Sequence, residues 1–89
     1  MGLDVGKVTI QYLPRPAGLA TEFAWQLATE ASCSGDGNAF GFYRRDELKE
    51  KAKEFAKDNP LLEAILELED WIAALPWDEA GYLVLTFNW

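Results

Sequence analysis

Between Asn59 and Trp77 apolar residues recur at three- and four-residue spacing, and this pattern predicts the helix around which the chain is organised. Asn59 suits an N-cap, since its side-chain oxygen accepts from an unpaired N–H of the first turn. Pro60 then falls at the first helical position, where its missing donor costs nothing. At 100° per residue, Leu61, Ala64, Ile65, Leu68, Trp71, Ile72 and Leu75 share one arc of about 120°, a core face. Pro76 ends the helix by pushing the residue before it out of the α region. A smaller apolar strip of Leu62, Leu66 and Ala73 runs beside the core face, interrupted by Glu69. Opposite the core lie Glu63, Glu67 and Asp70.

Other stretches alternate with period two. Lys7 to Leu13 sets Val8, Ile10 and Tyr12 against Thr9 and Gln11, a strand pattern that Pro14 and Pro16 terminate. Leu19 to Cys33 fits two periods. As a helix it groups Leu19, Ala20, Phe23, Ala24, Leu27 and Ala31 on half the wheel, in residues that favour helix. As a strand it alternates without a break and accounts for Trp25, which the helix turns toward its polar side. The alternation favours the strand. Ser34 to Asn38 carries turn chemistry. Ala39 to Arg44 alternates Phe40 and Phe42 against Gly41 and Tyr43, a strand in which Gly41 allows a neighbour to approach closely. Asp46 caps a helix running to about Asp58, with Leu48, Ala52, Phe55 and Ala56 inward and a mixed-charge outer face. Trp77 to Gly81 is a turn, and Tyr82 to Trp89 is a strand with Leu83, Leu85, Phe87 and Trp89 inward. The expected fold is a single α+β domain over residues 1–89, an antiparallel sheet of three to four strands with two helices packed on one face.

Composition narrows the function classes. Eighty-nine residues make one domain, and 49% hydrophobic content argues against disorder. The apolar runs are far shorter than the ~20 residues that cross a bilayer, the N-terminus lacks the pattern of a signal peptide, and one cysteine forms no internal disulfide. A cytoplasmic protein is expected. The net charge of −7 is carried entirely by residues 46–89, which hold eleven acids and four lysines. Seven of those acids (Asp58, Glu63, Glu67, Glu69, Asp70, Asp78 and Glu79) occupy a run with no base in it. That charge opposes direct nucleic-acid binding and binding to anionic membranes, and favours a basic protein as partner.

The chain contains no histidine, which removes the commonest general base, Ser-His and Cys-His pairs and the usual zinc sites. Cys33 has no helix N-terminus or cation evident in sequence to lower its pKa. Gly35-Asp36-Gly37-Asn38 lacks the acidic spacing of a calcium loop and reads as a turn. Arg44 and Arg45 beside Phe40, Phe42 and Tyr43 resemble a single-strand-binding surface in composition, thin support at this net charge. No enzyme, cofactor or metal is expected. The favoured reading is a small acidic binding or inhibitor module that docks a basic surface of another protein, including one that mimics nucleic-acid phosphate charge. Glu63 and Glu67, about 6 Å apart along a helix axis, would carry it with Asp70, Glu69, Asp78, Glu79, Leu62 and Leu66. The alternative is an assembly protein that self-associates, as a homodimer for instance, through apolar surface made of the helix strip of Leu62 and Leu66 and aromatics left over from the sheet.

Overall fold

Ala20, Phe23, Leu27 and Ala28 recur at helical spacing and are all buried, so the first ordered element is a helix, α1 (Leu19–Glu30). The computed structural model describes residues 2–7, 9–31 and 33–89; Val8, Ser32 and the side chains of Cys33 and Ser34 lie outside that set. The remaining elements are β1 (Cys33–Gly35), β2 (Asn38–Arg44), α2 (Arg45–Ala56), α3 (Leu62–Ala73) and β3 (Tyr82–Asn88). The class is α+β as expected, but with three helices instead of two.

The strand reading of Leu19 to Cys33 is overturned over Leu19–Glu30, which is helix, while Cys33 opens β1. It rested on Trp25, which in the helix is half exposed yet packs against Trp89, ring centroids 5.5 Å apart. A partner 64 positions along the chain relieved the conflict that local pattern could not. The strand expected over Lys7 to Leu13 is also absent from its described residues, and Val8 lies outside the described set. Residues 9–13 are irregular, Ile10 is 49% and Tyr12 74% exposed, and no backbone hydrogen bond among the described residues reaches them. Alternation sets the face of a strand, but pairing makes it one.

The sheet is chiefly the antiparallel β2–β3 pair, with β1 adding three residues at the far edge in the order β1-β2-β3. The register pairs Ala39 with Phe87, Gly41 with Leu85 and Tyr43 with Leu83 on the inner face. Phe40, Phe42 and Arg44 oppose Thr86, Val84 and Tyr82 on the outer one. Three helices cover the inner side: α1 and α2 lie against β2, and α3 packs on both helices. The core joins Phe23, Leu27, Leu48, Leu68, Ile72, Leu75 and Leu85. Leu68, Ile72 and Leu75 thus join the core as the period-3.6 pattern requires, while Leu61, at the N-cap of α3, is exposed.

Two caps differ from expectation. Strand β2 runs without a loop into α2, so Arg44 occupies the cap position and Asp46 falls in the first turn, where its charge still favours the helix N-terminus. Asn59 acts before α3 begins: its Oδ1 accepts from Leu61 N–H at 2.8 Å.

Candidate interaction surface

Helix α3 carries its acids on the surface. Glu63, Glu67, Glu69 and Asp70 are all exposed, and so are Leu62 (67%) and Leu66 (47%). Among the described residues, ion pairs join Arg44 to Glu47, Arg45 to Asp46, Lys51 to Glu30, Lys53 to Glu50 and Lys57 to Glu54. Every one of these acids lies outside the base-free run. The Lys51–Glu30 pair alone ties two helices together, the last turn of α1 to α2; the others are local to α2 and its cap.

The eight residues singled out in sequence do not form one patch. Glu67 sits by the N-terminus of α1: its Oε2 lies 3.2 Å from the point a Cβ on Gly18 would occupy. Negative charge there complements the unpaired N–H groups and dipole of α1, which has no side-chain cap. Glu69 and Asp70 instead line a groove of about 490 Å³ between α2 and α3, with Lys49, Lys53 and Lys57 on the same groove. Sequence reasoning treated these lysines as part of a separate solvated face; the packing of α2 against α3 is what brings them near. Glu63, Leu62 and Leu66 remain fully on the open side. Asp78 has a structural task, since its Oδ1 accepts from Ala80 N–H at 2.9 Å and Tyr82 N–H at 2.8 Å, fixing the turn into β3. Glu79 is exposed in that turn.

The sheet presents a second surface that the sequence only half revealed. Its outer face carries Phe42 (65% exposed), Val84 (62%) and Phe40, with the Phe42 ring stacked on Tyr82 at 5.4 Å. Arg44 lies over the Tyr82 ring at 5.5 Å and pairs with Glu47 at 3.5 Å. Arg45 reaches Asp46 at 4.0 Å. Tyr43, one position before Arg44, faces the core. The aromatic and basic cluster that suggested stacking on nucleic acid is therefore divided between two faces of the sheet, and both arginines have acidic neighbours.

On the inner face the Tyr43 ring lies across Gly41, in the space a side chain at that position would need. Burial raises the Tyr43 phenol pKa above its ordinary value, and the charge of Glu30 adds to the shift. A third feature is a groove of about 760 Å³ bounded by residues 9–16, α1 and β3, with the Trp25–Trp89 pair on its wall. Among the described residues no helix is long and apolar enough to cross a membrane, and no cluster of three or more acidic, histidine or cysteine side chains could hold a metal ion. No protein-family model, curated protein or solved structure matches this chain.

Proposed function

We propose that the chain is a small acidic binding module of the cytoplasm, not an enzyme, whose α3 docks a basic surface of another protein. Where that surface is a phosphate-binding site, docking would inhibit. The observation that carries the reading is the distribution of ion pairs. Five of the eight bases (Arg44, Arg45, Lys51, Lys53 and Lys57) pair with acids of α1 and α2. Among the described residues no base pairs with Glu63 or Glu67, which stand exposed beside Leu62 and Leu66. Exposed carboxylates steer a cationic partner over the screening length of about 8 Å at physiological salt, and adjacent leucines supply apolar area once contact is made.

The test is to recover the partner by pull-down at low salt and titrate it against variants. Glu63→Lys with Asp70→Lys and Glu67→Gln should cut the association rate at least tenfold and abolish its salt dependence, because surface charges act chiefly on encounter. Glu67 is neutralised, not reversed, because a lysine beside the α1 N-terminus would destabilise that helix. The control replaces Glu47, Glu50 and Glu54 on α2 by lysine. Equal binding by both triple variants, or binding that salt leaves unchanged, would remove the acidic helix from consideration.

A second reading, self-association, is favoured by the outer face of the sheet, where Phe40, Phe42 and Val84 stand exposed together. Contiguous exposed apolar surface of this kind suits a protein partner. That association would tolerate salt.

A further inference from the structure

Strand β3 is an edge of the sheet, and the ladder tells which of its backbone groups are open. Arg45 N–H donates to the Gly81 carbonyl and Trp89 N–H to the Gly37 carbonyl, each at 2.8 Å, at the two ends of the β2–β3 register. Hydrogen-bonded pairs alternate with non-bonded pairs in an antiparallel ladder. Gly81, Leu83, Leu85, Phe87 and Trp89 therefore turn their polar backbone groups toward β2, and Tyr82, Val84, Thr86 and Asn88 turn theirs outward. The Asp78 turn agrees with this parity: Asp78 N–H donates to the Tyr82 carbonyl at 3.0 Å, and Asp78 Oδ1 accepts from Tyr82 N–H at 2.8 Å. Tyr82 is thereby satisfied. Val84, Thr86 and Asn88 keep an outward N–H and C=O each, and no backbone bond among the described residues reaches them from outside the sheet.

The same chain holds an unpaired segment of matching length. Thr9 to Leu13 lies across the 760 Å³ groove from β3, carries period-two alternation, and leaves Ile10 and Tyr12 exposed. Among the described residues no backbone bond joins it to β3 of its own copy. Pro14 and Pro16 fix φ at the joint into α1, and the Pro16 carbonyl accepts from Thr21 Oγ1 at 2.8 Å. A second copy has no such constraint.

We propose that the open edge of β3 takes the Thr9–Leu13 segment of a second copy of this chain. Two copies would exchange segments about a two-fold axis, each filling the other's groove, as a self-complementary interface requires. Strand addition draws its affinity from main-chain hydrogen bonds and its selectivity from alternate side chains. The inference is independent of the acidic face of α3. Its salt dependence is also opposite: two copies of charge −7 repel, so salt should tighten the dimer.

Sedimentation of the full chain across the micromolar range, with amide exchange at Val84, Thr86 and Asn88, tests the proposal. A dimer with slowed exchange at those three amides is expected. Thr86→Pro deletes one outward N–H without touching the bonds to β2, a position at which an edge strand accepts proline. It should return the protein to monomer. Gln11→Pro should do the same from the other side of the interface, and it lies outside every helix and strand should Thr86→Pro fail to fold. A wild-type monomer with unprotected amides would overturn the inference. A monomer with protected amides would assign the segment to its own edge, and a dimer that survives both substitutions would place the interface elsewhere; either result also overturns it.

Discussion

Gly41 shows how the absence of one side chain shapes the inner face of the sheet. The Tyr43 ring occupies the space above it and meets Phe87 edge-on, centroids 6.4 Å apart. Adding a methyl group at Gly41 forces the ring out of that slot, and the ring has Phe87 and the core behind it. Gly41→Ala should therefore cost about 1–3 kcal/mol in urea denaturation, the range of core overpacking. The same substitution in a Tyr43→Ala background should cost far less, a coupling that a double-mutant cycle measures. The close approach at Gly41 was legible in sequence, because glycine within a strand pattern has few other reasons to be there. What approaches was not, since the neighbour is two residues along the same strand. Trp25 is the converse case. Its exposure on a helix read as a fault in the helix, because its partner Trp89 lies at the other end of the sequence.

Among elements, α3, α2, β2 and β3 were legible from periodicity alone, to within the residue or two that caps decide. The inward stripes of α2, of α3 apart from Leu61, and of β3 at Leu83, Leu85 and Phe87 turn to the core where the pattern put them. In β2 the pattern named two faces, and Phe40 and Phe42 proved to lie on the exposed one. Helix α1 was legible in propensity, and lost only when alternation was weighted above it. Residues 9–13 failed for another reason: their pattern is that of a strand, and the missing ingredient is a partner, which no local pattern encodes. The core face of α3 gives a direct check. Leu68 and Ile72 are each 1% exposed, so Leu68→Ala or Ile72→Ala should lower stability by about 2–5 kcal/mol. A loss below about 0.5 kcal/mol in chemical denaturation would mean that the site collapses around the deletion far better than its packing indicates.

At the level of the whole molecule, the charge asymmetry was legible as composition but not as geometry. The run from Asp58 to Glu79 looked uniform because a helical wheel shows one helix at a time. Folding sorts it into parts: Glu67 against the start of α1, Glu69 and Asp70 on a groove with three lysines, Asp78 in a turn, and Glu63 on the open side. Which face of the sheet stays open was equally hidden, since alternation names two faces without saying which one the helices cover.

The Trp25–Trp89 pair has a consequence of an optical kind. Two indoles 5.5 Å apart and tilted by 58° are close enough for their transitions to couple, and the coupling is chiral. The protein should show a circular-dichroism couplet, two adjacent bands of opposite sign, superimposed on its helical spectrum. Trp25→Phe and Trp89→Phe should each abolish both bands while the helical signal stays. If either single variant keeps the couplet, the signal comes from Trp71 or Trp77 instead. Because the pair forms one wall of the groove beside β3, the sign and size of the couplet would report on what enters there, with no label attached to the chain.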